Sequence, residues 1–233
     1  MTLGTWISNL CSPLVLIPQA LLILIIAFQW WRDVIREANS GFHTTAVQKG
    51  LLIGFLLFLL SEIMLFVSMF WAFFTFSVSP AIELGSIWPP VGLNPINPWA
   101  IPLIGTCVLL ASGFILTLGH HALVSGHKDL VILSLFGTIL LGALFVALQA
   151  SEYFLCDFSI SDSAFGTVIY MTTGLHGLHV LVGVLFLFIG LIRSFFDHFT
   201  SEHHLGLEFA ILYWHLVDVV WLFVFFVYYV WGS

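Results

Sequence analysis

The sequence GLLIGFLLFLLSEIMLFVSMFWAFFTF, residues 50–76, is an apolar stretch that contains a single carboxylate, Glu62. At about 1.5 Å per residue, a helix over this stretch would be roughly 40 Å long, enough to cross a bilayer core of about 30 Å. Glu62 would then lie near the middle of the membrane. Because an ionised carboxylate there is costly, we expect Glu62 to be protonated, hydrogen-bonded or turned toward other helices. A structural role between helices and a role in proton handling or ligand binding both remain open.

The composition is that of an integral membrane protein. Of 233 residues, 61% are hydrophobic and 7% are charged, with a mean hydropathy of +1.12. The chain has five Lys and Arg in total, so it offers no basic patch for nucleic acid. Cys11, Cys107 and Cys156 are far apart and predict neither a disulfide framework nor a cysteine metal site. No basic leader or Arg-rich transit segment precedes the first apolar run, so we expect that run to be retained.

The hydrophobic pattern predicts an all-α, polytopic membrane helix bundle. Six transmembrane spans are predicted, at residues 13–29, 50–76, 100–123, 130–155, 164–192 and 205–231. We interpret residues 1–233 as a single membrane domain, with a first helix at 13–31 and a five-helix bundle at 50–231.

Segments between and within the spans carry further signals. The Pro-rich segment 77–99 predicts an extended loop outside the membrane, packed on a partner. In the fourth span, Ala143, Ala147 and Ser151 recur every four residues, a small-residue stripe that lets another helix approach closely.

The basic residues give an independent check on the number of spans. Arg32, Arg36 and Lys49 follow the first span, Lys128 follows the third and Arg193 follows the fifth. All therefore lie on one face, which the positive-inside rule assigns to the cytoplasm or matrix. Both termini would then lie on the opposite, outer face.

Polar residues inside the spans are the candidates for a buried site. His176 and His179 are three residues apart on one helical face and could hold a metal or a haem. Because no second ligand set accompanies them, hydrogen bonding across a helix interface is favoured. His215 and Asp218 form a second such pair, also favoured as structural. Together with Glu152 at the end of the fourth span, these residues predict a buried polar set of His176, His215, Asp218 and Glu152.

Most of the histidines lie on the positively charged face. Seven of the ten fall there: His43, His120, His121, His127, His198, His203 and His204. They could buffer protons, or bind lipid phosphates beside Arg36 and Arg193. For any single one, a polar residue at the level of the water is the favoured interpretation.

Ordered motifs cover residues 29–233: 29–37 (QWWRDVIRE), Ser61–Glu62, 70–73 (FWAF), 83–90, 108–113 (VLLASG), His120–His121, 148–153 (LQASEY), 174–180 (GLHGLHV), 199–204 and 213–223 (YWHLVDVVWLF). Together they resemble the cytochrome c oxidase subunit III family. The resemblance implies a non-catalytic core subunit of the respiratory haem–copper oxidase, without catalytic residues or metal ligands of its own. Haem a and copper would belong to subunits I and II, and structural phospholipids would sit in a V-shaped cleft between two helix groups.

The resemblance also implies roles for particular residues. Glu62 matches the family's membrane-buried, carbodiimide-reactive glutamate, and His176 and His179 would not be metal ligands. The residues that match the lipid cleft and its headgroup end are Trp31, Arg36, His43, Glu62, His179 and Arg193. The expected partners are subunit I above all, subunit II, accessory subunits and phospholipid.

The sequence departs from the family at its beginning. The family usually has seven helices, whereas 28 residues precede Gln29, which is room for one span. We therefore expect the family's first helix to be missing, and either another polypeptide in its place or a cleft more open to lipid. The expected location is the mitochondrial inner membrane, with the bacterial plasma membrane as the alternative.

Three other functions are alternatives to this one. They are subunit III of a quinol oxidase, an independent proton-coupled transporter that uses Glu62, and a membrane haem protein with ligation by His176 or His215. Quinol oxidase relatives generally lack both early helices, whereas this chain keeps the loop at residues 32–37. A transporter should show inverted repeats or broken helices.

Overall fold

The described chain is built from membrane-length helices. The computed structural model describes residues 13–82 and 85–232, and that part contains no strand. Its helices are α1 (Pro13–Asn39), α2 (Thr45–Val78), α3 (Ile101–Val124), α4 (Lys128–Leu155), α5 (Ser163–Phe195) and α6 (Leu205–Val224), the last followed by a π-helical segment (Phe225–Trp231). All six are long and apolar enough to cross a membrane. The predicted all-α, six-span fold is therefore confirmed.

The chain divides into two compact units, Met1–Leu51 and Leu52–Ser233. In the first unit, α1 continues well past the predicted end at residue 31, to Asn39. The added turns contain no Gly or Pro, and Arg36 lies 3.6 Å from Asp33 one turn earlier. The helix ends at Asn39, and Gly41 follows it with a backbone φ of +79° and an N–H that donates to the carbonyl of Ala38. The predicted polar loop is therefore mostly helix.

The second unit has its core among four helices. α3 packs against α4 and α6, and α5 packs against α4 and α6. Residues of α2 in this unit contribute one buried stripe, Leu59, Phe66 and Phe73, spaced seven residues apart. Most of the remaining surface of α2 in this unit is apolar and exposed, as expected for a face toward lipid.

Tryptophans of α6 fasten the core. Trp214 is fully buried and donates its Nε1–H to Ser112 Oγ on α3 at 2.9 Å, and Trp221 donates to Thr106 Oγ1 at 2.9 Å. A Cβ added at Gly142 of α4 would lie 2.5 Å from the ring of Trp214, and one at Gly183 of α5 would lie 2.8 Å from it. Two glycines thus make the space for this ring.

The small-residue stripe predicted on α4 does not mediate this packing. Ala143 and Ala147 are exposed in the described chain, and the close approach occurs at Gly142 instead. The reason is rotational, because residue 142 faces α5 and α6 while its neighbour is turned about 100° away.

The Pro-rich connection between α2 and α3 folds back onto its own bundle. Trp88 packs edge-on against Phe73 and Phe165, with ring centroids 5.5 Å and 5.2 Å apart. Glu83 and Leu84, part of the motif at residues 83–90, lie outside the described residues. The described loop is irregular, as predicted, and packs on helices of the same chain.

Candidate buried carboxylate–imidazole site

Glu62 reaches the interior of the second unit because of its place on α2. It lies three residues after Leu59 and four before Phe66, both of them buried, so all three share one helical face. The carboxylate meets His179, in the middle of α5. The side chains of Glu62 and His179 are 20% and 10% exposed. The site is therefore a contact between two helices, largely shielded from the surroundings.

The geometry fixes the number of protons that the pair holds. Glu62 Oε2 and His179 Nε2 are 2.5 Å apart, and His179 Nδ1 lies 2.7 Å from the carbonyl oxygen of Leu175. Since a carbonyl can only accept, Nδ1 carries a proton and donates it. The short bond between Nε2 and Oε2 then needs one further proton, on either atom. The pair is electrically neutral overall in both forms, which suits an apolar environment.

Aromatic rings surround this pair. The ring of Phe66 lies 5.0 Å from that of His179, and the ring of Tyr213 stacks with it at 6.4 Å. Such a surround lowers the local polarity and strengthens the hydrogen bond between the two side chains. The arrangement can join two helices or share a proton between two atoms.

His176, one turn before His179, bonds to a different helix. It is fully buried, and its Nε2–H donates to the carbonyl of Val217 on α6 at 3.1 Å. Its ring packs between Phe145 and Trp221, at 5.7 Å and 4.9 Å. Its Nδ1 has no hydrogen-bond partner among the described residues. The two histidines therefore serve different helix contacts.

His215 and Asp218 form a looser pair on α6. His215 Nδ1 lies 3.9 Å from Asp218 Oδ2, and the side chains are 39% and 8% exposed. His215 Nε2 also approaches Thr117 Oγ1 of α3 at 3.4 Å. Asp218 is buried, with Oδ1 unpartnered in the described part of the chain, whereas His215 is more accessible than the predicted buried set implied.

Glu152 lies in a compact polar cluster at the end of α4. Its Oε1 accepts from the Tyr229 hydroxyl at 2.6 Å and from Gln149 Nε2 at 3.0 Å. All three side chains are buried. The sequence placed Glu152 in the predicted polar set but gave no signal for Tyr229, which is 77 residues away.

Arg193 lies in the last turn of α5. Its guanidinium carbon stands 4.3 Å above the ring of Phe199, and its Nε is buried without a hydrogen-bond partner in the described chain. No carboxylate among residues 13–82 and 85–232 forms an ion pair with it, whereas nearby Lys128 is paired with Asp197 at 2.6 Å. Arg193 lies about 21 Å from His179 along the helix, the depth of about one leaflet.

The remaining predicted lipid residues belong to the first unit. The side chains of Trp31 and Arg36 are exposed there, and Arg36 lies near Asp33. The His43 carbonyl accepts from Gln48 Nε2 at 2.9 Å. Of the six residues predicted for the lipid cleft, the structure joins Glu62 and His179 by a direct hydrogen bond.

One cluster in the described chain has the composition of a metal site. His120, His204 and Glu208 bring their ligand atoms within 4.8 Å of one another. The sequence indicated a histidine-rich face but did not single out these three residues.

Fold and site together define a polytopic helical membrane protein. Its membrane-spanning helices contain a neutral carboxylate–imidazole pair. Residues 2–233 match the family described as cytochrome c oxidase subunit III.

Similar proteins named cytochrome c oxidase subunit 3 occur in vertebrates. The protein of Dasypus novemcinctus is 50% identical over 223 residues, covering 95% of this chain and 85% of the relative. That of Latimeria chalumnae is 48% identical over 232 residues, covering 99% and 88%, and that of Scyliorhinus canicula is 51% identical over 213 residues, covering 91% and 82%. The chain belongs to the cytochrome c oxidase subunit III family.

Membership fixes the coarse function. The chain is a respiratory oxidase subunit III, a component of an oxidoreductase complex that is not itself catalytic, and it associates with the other oxidase subunits. The animal relatives and the six apolar helices support a multi-pass protein of the inner membrane. The predicted family and main function are confirmed. The relatives favour them over a quinol oxidase subunit, a transporter or a haem protein.

Proposed function

We propose that this chain stabilises subunit I of the oxidase by holding structural phospholipid beside it, and thereby sustains proton uptake and repeated turnover. The observation that carries the proposal is the neutral Glu62–His179 pair, which joins α2 to α5 near the middle of the membrane. Haem a and copper reside in the partner subunits, so this chain contributes packing and lipid rather than redox ligands.

The pair matters because few polar contacts hold α2 to the rest of the second unit. The Tyr228 hydroxyl also donates to the carbonyl of Met69 on α2 at 3.0 Å. The other described contacts of α2 with the second unit include aromatic ones, such as Phe55 with Phe209 and Phe73 with Tyr228, both at 4.3 Å. Apolar contacts alone give little net attraction between helices in lipid, since acyl chains pack against the same surfaces equally well. A hydrogen bond in this setting therefore has a large share in keeping α2 in place.

The surroundings of Arg193 support the proposal that a lipid headgroup binds there. A half-buried guanidinium without a carboxylate partner in the described chain suits a phosphate, which can accept two parallel hydrogen bonds. The acyl chains of that lipid would extend about one leaflet deep, to the level of Glu62 and His179. Trp31, Arg36 and His43 are proposed as further lipid contacts, supported by their match to the family and by the exposure of Trp31 and Arg36.

The finer partners and the sidedness belong to the same proposal. Subunit I is the main neighbour, with subunit II and accessory subunits beyond it, and a further polypeptide lies beside α1, whose apolar span is exposed in the described structure. The loops that carry Lys and Arg face the matrix and the termini face the outer side, because the basic residues follow the first, third and fifth spans.

Replacing Glu62 tests the proposal. Glu62→Gln keeps a donor for His179 Nε2, whereas Glu62→Leu leaves that nitrogen unpaired at a cost of about 1–3 kcal/mol. Oxidase that carries either substitution should assemble and should reduce oxygen normally at first. Phospholipid content and the number of turnovers before inactivation should fall in the order wild type, Glu62→Gln, Glu62→Leu.

Lipid mass spectrometry and long oxygen-consumption traces measure these quantities. Ser61→Ala is the matched control, because Ser61 is exposed and its hydroxyl bonds within its own helix. Loss of oxygen reduction at the first turnover in either Glu62 variant would contradict an accessory role.

Arg193→Gln tests the headgroup end. A basic residue at a membrane surface contributes about 1 kcal/mol toward an anionic lipid, so binding should weaken about fivefold. Lys128→Gln is the comparison, since Lys128 is already paired with Asp197. Equal retention of anionic phospholipid by the wild type and the Arg193→Gln complex, measured after detergent washing, would argue against a headgroup at this position.

A further inference from the structure

A cluster of ligand-type side chains lies where two helices end, apart from the Glu62–His179 pair. His120 lies just before the last turn of α3, His204 immediately precedes α6, and Glu208 lies in the first turn of α6. One ligand atom from each lies within 4.8 Å of the other two. The side chains of His204 and Glu208 are 10% and 38% exposed, so the cluster is partly buried but accessible to small ions.

The hydrogen bonds of His204 determine which nitrogen is free to bind. His204 Nδ1 lies 2.9 Å from the carbonyl oxygen of Thr200, and a carbonyl can only accept, so Nδ1 carries a proton. In the neutral ring, Nε2 then carries a lone pair and can accept. This nitrogen faces Glu208 Oε1 at 3.4 Å. The two facing atoms are satisfied either by a proton on the ring, which makes an ion pair, or by a metal ion bound to both. A backbone carbonyl that orients the opposite nitrogen is the usual support of a metal-binding histidine.

The donor set indicates which cation. Two imidazoles and a carboxylate form a common zinc triad, with water in the fourth position of a tetrahedron. Magnesium and calcium prefer sites composed of oxygen ligands and are disfavoured here.

We propose that His120, His204 and Glu208 form a Zn²⁺ site at this edge of the bundle. The ion links the end of α3 to the start of α6 and holds the connection between α5 and α6 against the bundle. Small movements of the three side chains bring their ligand atoms to about 2.0–2.2 Å from the ion.

The test uses the assembled oxidase, stripped of loosely held metal with a weak chelator and then titrated with Zn²⁺. Bound zinc is measured by elemental analysis, and the difference between wild type and variant isolates this site from any other metal in the complex. His204→Gln and Glu208→Gln should each weaken the affected site about 100-fold or more, since loss of supporting groups alone costs 10- to 100-fold. His127→Gln, an exposed histidine after α3, should leave it unchanged.

A second measurement separates a zinc link from a simple ion pair. Zinc X-ray absorption of the wild type should show nitrogen and oxygen neighbours, and zinc should raise the unfolding temperature of the wild type but not of Glu208→Gln. Glu208→Gln also serves if His204→Gln fails to assemble. Unchanged zinc stoichiometry and affinity in the variants, or a wild type that binds no zinc beyond that of the variants, would overturn the proposal.

Discussion

Oxidase that carries Gly142→Ala is expected to assemble poorly and to unfold at a lower temperature than the wild type. The added Cβ would lie 2.5 Å from Trp214 Cη2 and 2.8 Å from Val184 Cγ2. Trp214 cannot move aside, because it is fully buried, bonded to Ser112 and also bounded by Gly183. Overpacking of this kind typically costs about 1–3 kcal/mol, and here two neighbours would have to shift together.

The measurement is the thermal unfolding of the purified complex, with the fraction of complexes that retain this subunit. Gly137→Ala is the control on the same helix, because its Cβ would lie 3.6 Å from Ile115 Cγ2, an ordinary contact. Gly142→Ala combined with Trp214→Phe should recover part of the loss, since the smaller ring frees space. Equal unfolding temperatures for the two alanine variants would show that the ring is not tightly confined.

The second large effect is expected from Tyr229→Phe. The variant removes the hydroxyl that donates to Glu152 at 2.6 Å and leaves a buried carboxyl group with Gln149 as its remaining donor in the described chain. An unsatisfied buried acceptor costs about 1–3 kcal/mol, more if it is charged. We expect a lower unfolding temperature without a change in the spectra of cofactors in partner subunits.

A double variant distinguishes the hydrogen bond from simple packing. Glu152→Leu with Tyr229→Phe replaces both partners by apolar groups, which is often close to neutral, so it should be more stable than Tyr229→Phe alone. Additive losses in the double variant would show that the two side chains contribute independently.

Much of the fold follows from the sequence because the membrane imposes simple rules. Apolar length predicted all six spans, and five basic residues gave a consistent arrangement of the loops. The predicted end of α1 at residue 31 is wrong, because the residues after Trp31 are mostly polar but include no Gly or Pro before Gly41, and the helix continues to Asn39. Hydropathy reports where lipid ends, whereas helices continue into water.

The side-chain pairings inside the bundle could not be predicted from the sequence. Glu62 and His179 were each identified as site residues, but 117 residues separate them, and no local pattern joins them. The same holds for Tyr229 with Glu152, and for the glycines that make room for Trp214. Such contacts depend on how far each helix is rotated about its axis, and a 3.6-residue period fixes that rotation poorly when every face is apolar.

The seven-residue spacing of Leu59, Phe66 and Phe73 limits how α2 can change over evolutionary time. On a straight helix, residues spaced seven apart drift by about 20° per repeat around the helix axis. A stripe with this spacing therefore stays in contact with neighbouring helices through a slight left-handed supercoil. Exchange of one outward apolar residue for another leaves the stripe untouched. Insertion or deletion of a single residue between Leu59 and Phe73 would rotate everything beyond it by about 100° and turn part of the stripe toward lipid. This helix should therefore tolerate many substitutions and keep its length.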